Sequence, residues 1–177
     1  MRIFKPMRIL ASARAIYAAE GPEGLSLRKV GDAAGLSAPA LYRYYSGKEM
    51  LVDALAEHAS IELTNRMRRS LGSPTPMLRL ERATRIVLEY GMRYPRLMEL
   101  LLTTRQHAPG PLAFLRARVD ECVRAGALWN DDRRELAWTI WAQIRGLLSL
   151  RGMGEDQQFR ALYRRAMGRL LAAHTRH

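Results

Sequence analysis

The sequence predicts an all-α protein: an N-terminal three-helix helix-turn-helix domain followed by a C-terminal helical bundle for regulation and dimerisation, about nine helices in all. Three observations lead there. Apolar residues recur at three- and four-residue spacing almost throughout the 177 residues. No alternating apolar–polar run bounded by turn residues marks a strand. Clusters of Gly, Pro and Ser cut the chain into helix-length pieces, two of them short and adjacent near the N-terminus.

The first helix is expected from Pro6 to Glu20, with Ile9, Leu10, Ala13, Ile16 and Tyr17 at helical spacing and Gly21-Pro22 as the stop. Ser26 suits an N-cap for a short helix over Leu27–Ala34, because its hydroxyl can accept from an otherwise unpaired first-turn N–H. Gly35 is the turn residue, and Ser37 caps a second short helix from Ala38 to about Tyr44. Pro39 is tolerated there because first-turn N–H groups have no intrahelical partner. Ser46-Gly47 breaks the chain again. A long helix over about Lys48–Arg69 carries Leu51, Val52, Leu55, Ala56, Ala59, Leu63 and Met67 in one stripe. Further helices are expected over Pro76–Tyr94, Pro95–Leu102 and Leu112–Val123, closed by Gly126. The last two run from Asn130 or Asp131 to about Arg151, stopped by Gly152-Met153-Gly154, and over Asp156–Ala173. The natural boundary falls near Gly47, giving a helix-turn-helix domain over 1–47 and a ligand-binding and dimerisation domain over 48–177.

The chain holds 29 Lys and Arg against 17 Asp and Glu, a formal net charge of +12. Such a charge draws polyanions, but residues 1–50 carry only 8 basic against 4 acidic side chains. Charge alone therefore does not locate a nucleic-acid site, and the pattern has to. Cys122 is the single cysteine, so no internal disulfide is possible and a cysteine-built zinc site is not expected. That usage suits a reducing cytoplasm. No signal-peptide pattern and no apolar run of membrane-spanning length is present, so no membrane partner is expected. No metal site and no cofactor is expected either. Glu-x-x-His, His-Glu-x-x-His, P-loop and dinucleotide patterns are absent, and His58, His107, His174 and His177 have no acidic or cysteine cluster beside them. These absences argue against an enzyme.

Residues 24–48 are the most informative stretch: two short capped helices flanking the turn Gly35-Leu36-Ser37. Leu27, Val30, Ala34, Leu36 and Leu41 can form a small core with Leu10, Ala13 and Tyr17, and Gly31 and Ala34 permit close approach at a steep angle. That is helix-turn-helix geometry, in which the second helix enters the major groove by its N-terminus. The elements Ser26, Val30-Gly31, Ala34-Gly35-Leu36-Ser37, Leu41-Tyr42-Arg43-Tyr44-Tyr45 and Lys48 resemble the DNA-binding domain of the TetR/AcrR family of bacterial transcriptional regulators. The resemblance covers roughly residues 8–56. Gly31 stands where the family usually has Ala, Tyr44 where it has His, and Tyr45 where it has Phe. Trp138-x-x-Trp141 with Arg145-Gly146-Leu147 is similar to one C-terminal subgroup, with Arg145 in place of a His.

The resemblance implies a sequence-specific DNA-binding regulator at the nucleoid, a repressor released from a palindromic double-stranded operator by a small-molecule effector. The expected DNA-facing residues are Ser26, Arg28, Lys29, Ser37, Ala38, Pro39, Ala40, Tyr42, Arg43, Tyr44 and Lys48. Arg43 can pair bidentately with guanine O6 and N7, and the Ala38 and Ala40 methyls can pack on a thymine methyl. Tyr42, Tyr44 and Lys48 suit phosphates, as matching positions do in the family; Tyr45 suits the core better than a contact. Arg28 is either a phosphate contact or a solvated side chain.

In the remainder, the helix ending near Arg151 is apolar on several faces. Leu136, Ile140, Ile144 and Leu147 lie on one side, and Ala142, Gly146 and Ser149 on another. With the stripe Phe159, Leu162, Tyr163, Ala166, Met167, Leu170 and Leu171, this suits a homodimer through the last two helices. Tyr90, Tyr94, Met98, Arg105, Trp138, Trp141 and Arg145 are the candidate pocket for an apolar or aromatic effector, and each also suits ordinary core packing or, for the arginines, the surface.

Overall fold

A computed structural model of the chain describes residues 4–103, 110–129, 133–151 and 155–175. The described residues form nine α-helices and no strand. They are α1 (Phe4–Gly24), α2 (Leu27–Ala34), α3 (Ala38–Tyr42), α4 (Lys48–Met67), α5 (Pro76–Arg93), α6 (Pro95–Thr103), α7 (Pro111–Arg124), α8 (Arg133–Ser149) and α9 (Asp156–Ala172), with a 3₁₀ turn (Arg68–Gly72) after α4. The expected caps Asn130 and Asp131 and the expected stop at 152–154 lie outside the described residues. No described helix is long and apolar enough to cross a membrane. The chain divides into two compact units, Met1–Glu62 with Tyr94–Ala108, and Leu63–Arg93 with Pro109–His177.

In the first unit α1 packs on α2 and α6, and α2 packs on α3. Ile9, Ala13, Ile16 and Tyr17 form the inward face of α1. Leu10, expected in that core, is only half-buried, because it stands one helical step away from Ile9, which is fully buried. The regular part of α1 breaks at Gly21, whose φ of 78° lies in the left-handed region that glycine tolerates, and Pro22 follows. Carbonyls freed at this break find a partner from α6: the Arg96 guanidinium donates to Ala18 O at 3.0 Å and also to Ala19 O. The Arg14 guanidinium lies 4.4 Å from the Tyr94 ring centroid and pairs with Glu62 at 3.1 Å.

In the second unit α5 packs against α7, α8 and the 3₁₀ turn, and α8 packs on α7 and α9. Leu80, Ala83, Val87, Leu88 and Tyr90 of α5 are buried. At Gly91 a Cβ would fall 2.4 Å from Leu148 Cδ1, so the Leu148 side chain packs over the glycine and would have to shift for any larger residue. The buried Tyr163 hydroxyl donates to Thr84 Oγ1 at 2.9 Å, and Thr84 in turn donates to Glu81 O at 2.8 Å, so both hydroxyls are satisfied. Burial pushes the Tyr163 phenol up to about 12.

The two last helices are two-sided. On α8, Leu136, Ala137, Ile140, Trp141, Ile144 and Leu147 are buried, whereas Trp138, Ala142, Arg145, Gly146 and Ser149 are exposed. On α9, Phe159, Tyr163, Met167 and Leu171 are buried, Ala166 and Leu170 half-buried, and Leu162 exposed. The single stripe expected on α9 thus splits into an inner row and an outer row, because 100° per residue spreads seven apolar positions over too wide an arc for one neighbour to cover.

Candidate nucleic-acid interface

The helix-turn-helix is built by one serine cap, one left-handed glycine and an arginine from α1. Ser26, extended at φ −138° and ψ 151°, accepts at its hydroxyl from the Lys29 N–H at 3.2 Å and starts α2. Gly35 ends α2 at φ 64° and ψ 40°, and the Leu36 N–H donates to Gly31 O at 2.9 Å. This closure brings the Leu36 carbonyl within 3.0 Å of where a Gly31 Cβ would stand, so the glycine at 31 matches a turn drawn tightly over α2. The Arg8 guanidinium on α1 caps the same end, donating to Ala34 O at 2.8 Å.

Ser37 precedes α3 with extended geometry, and its carbonyl accepts from the Ala40 and Leu41 N–H groups at 2.9 and 3.0 Å. Its hydroxyl makes no cap bond to the backbone. Leu41 is wholly buried and fixes the rotation of α3. Pro39 and Arg43, two residues to either side, are thereby placed about 160° away from Leu41 around the helix, and both are exposed. Tyr42 is exposed, while Ala40 and Tyr44 are half-buried. Tyr45 is buried, as its apolar ring suggests, and burial raises its phenol above the usual tyrosine value.

Ser26, Arg28 and Lys29 are exposed at the start of α2, and Lys48 is exposed at the first position of α4. Lys29 pairs with Glu20 of α1. The Ala38 backbone opens α3. Ser26, Arg28, Lys29, Ser37, Pro39, Tyr42, Arg43 and Lys48 thus all reach solvent on the first unit. Arg8 and Glu20, which position the helix-turn-helix, were not singled out by sequence. Arg8 sits 26 residues from its carbonyl partner, and no local pattern encodes a contact of that span.

The expected effector residues are divided between the two units. Tyr90 and Trp141 are buried in the second unit, on which Trp138 and Arg145 are exposed. Met98 is buried and Tyr94 half-buried in the first unit, and Arg105 lies outside the described residues, as does His107. The described residues hold no group of three or more His, Cys, Asp or Glu that could bind a metal. Cys122 is buried, and burial first, then the Glu121 carboxylate, pushes its thiol up to about 11, which makes it unreactive near neutral pH.

Two short helices around a left-handed turn, the second followed by an exposed arginine, define a helix-turn-helix. Residues 9–55 match the profile of bacterial regulatory proteins of the tetR family. The nucleoid occlusion factor SlmA of Haemophilus influenzae is 26% identical over 144 residues, covering 81% of this chain. The chain spans 62% of the length of that relative. Among solved structures, a TetR transcription regulator from Haloarcula marismortui superposes with a TM-score of 0.77 at 18% identity, covering 97% of this chain and 98% of that one. The fatty acid degradation regulator FadR from Bacillus halodurans gives a TM-score of 0.77 at 18% identity, covering 94% of each chain. These likenesses match the fold over nearly the whole chain, including the helices beyond the tetR segment.

Proposed function

We propose that this chain is a homodimeric repressor that binds a palindromic operator, reading bases with α3 and gripping phosphates with the starts of α2 and α4. The observation that carries the reading is the placement of exposed Arg43 and Pro39 opposite the buried Leu41. A guanidinium held there by a packed helix suits guanine, while Ser26, Arg28, Lys29, Ser37, Tyr42, Tyr44 and Lys48 supply phosphate contacts that set register. Ala38 and Ala40 are the proposed apolar contacts to thymine.

The proposed dimer face is the outer row of α8 and α9, with Trp138, Ala142 and Gly146 beside Leu162, Ala166 and Leu170. Trp138 is 50% exposed, and a second copy would cover it. The functional division follows: reading over 1–47, dimerisation and ligand response over 48–177. Release by an apolar or aromatic effector belongs to the same proposal. Its support is the aromatic content of the second unit, with Tyr90 and Trp141 inside it. An effector must bind the DNA-incompetent dimer more tightly to act at all.

Selection of bound duplexes from a random pool with the full chain tests the reading. An inverted repeat with half-site centres ~34 Å apart or somewhat wider is expected. Enrichment of a single unpaired half-site, or of nothing, overturns it.

A further inference from the structure

A second charged feature lies wholly within the second unit and takes no part in the reading head. The end of α4, the 3₁₀ turn and α5 enclose an open groove of about 400 Å³. It is lined by Arg66, Arg69, Arg82, Arg85 and Arg93, with Ile86, Tyr90 and a single carboxylate, Glu89. Arg82, Arg85, Ile86, Glu89 and Arg93 recur at three- and four-residue spacing, so they form one continuous face of α5.

Arg82 and Arg85, three residues apart, repel one another, which works against the helix. The Arg85–Glu89 approach is a loose 3.9 Å between half-exposed partners, so this pair alone holds Arg85 weakly. The Arg66 guanidinium is held over the Tyr90 ring at 5.5 Å. Every cation in the lining is arginine, whose planar fork matches phosphate and carboxylate oxygens in pairs. The volume falls in the range of small-molecule sites, about 300–1,000 Å³. An extended duplex needs no such concavity, whereas a compact polyanion does.

We infer that this groove binds a small, multiply phosphorylated anion, which neutralises the arginine face. The site is independent of the DNA-reading proposal, since it uses only residues of the second unit.

Calorimetric titration of the full chain with sodium tripolyphosphate, and separately with orthophosphate, at near-physiological salt tests this. Saturable binding of tripolyphosphate is expected, at least about tenfold tighter than orthophosphate. The double substitution Arg82→Gln/Arg85→Gln should weaken it by about tenfold or more, and Glu89→Gln should tighten it. These side chains are exposed, so the fold is expected to survive, and circular dichroism checks that it does. Removing the same charge from α7, with Arg116→Gln/Arg124→Gln, should leave the affinity within about twofold. Equal weakening by the α7 pair would reduce the effect to diffuse charge and overturn the site. So would the absence of saturable binding, or groove variants that weaken random duplex DNA while leaving tripolyphosphate unchanged.

Discussion

Substituting Gly35 by alanine tests whether the turn between α2 and α3 is as the structure shows. At φ 64° a Cβ meets the carbonyl sterics of the left-handed region, which costs about 1–2 kcal/mol. The same Cβ would stand 3.2 Å from Arg8 Nη2, which already donates to Ala34 O at 2.8 Å. If the guanidinium retreats, the lost charge-assisted bond adds up to about 2 kcal/mol, for a total of about 1–4 kcal/mol. Urea unfolding of the full chain, with midpoints compared at constant slope, measures this. Gly35→Asn should cost less, because asparagine visits the left-handed region more readily. Arg8→Ala combined with Gly35→Ala should destabilise less than the two alone summed, since both break one bond. A Gly35→Ala loss within about 0.5 kcal/mol would contradict the left-handed turn, and strict additivity with Arg8→Ala would contradict the shared Arg8 cap.

Other outcomes follow from the same geometry. Ser26→Ala should cost about 1 kcal/mol of stability by denaturant melting, because its hydroxyl caps α2. Ser37→Ala, whose hydroxyl caps nothing, should change stability by less than about 0.5 kcal/mol yet weaken binding to every duplex tested. Raising the pH should destabilise the chain between about 10 and 12. Tyr163 holds its proton up to about 12 when folded and loses it near 10.0 when unfolded, so the native state binds more protons across that window and stability falls as pH rises through it. The part due to this group is on the order of 2–3 kcal/mol, and Tyr163→Phe should remove it from the melting profile. Trp138→Glu should turn the proposed dimer, twice 20.1 kDa, into a monomer by light scattering, with its helix content intact.

The fold was legible from sequence wherever one helix carries its own signal. Ser26, Gly35 and Pro39 marked the ends of α2 and α3 because caps and left-handed turns depend on local residue chemistry. The buried positions of α8 followed from periodicity for the same reason. What sequence did not carry was contact between distant segments. Nothing local indicates that Arg96 closes the end of α1, that Arg14 stacks on Tyr94, or that Leu148 packs over Gly91. The arginine groove was missed likewise. Arg66 belongs to α4, Arg69 to the 3₁₀ turn and Arg82, Arg85 and Arg93 to α5, and each set alone has the spacing of an ordinary solvated face. At the reading head, the residue types were legible, but the side of α3 that Arg43 occupies depends on Leu41 being buried.

The most direct test of that last placement is fluorescence anisotropy of the full chain on its selected duplex and on random duplex, with Arg43→Ala and Lys48→Ala beside the unsubstituted protein. Arg43→Ala is expected to lose roughly 1–3 kcal/mol on the selected duplex, to leave random DNA nearly unchanged and to relax base preference at one position per half-site. Lys48→Ala is expected to weaken both duplexes alike and to flatten the salt dependence by about one unit of slope. Equal losses on both duplexes for Arg43→Ala would contradict its role as the base reader, and with it the assignment of α3 to the major groove.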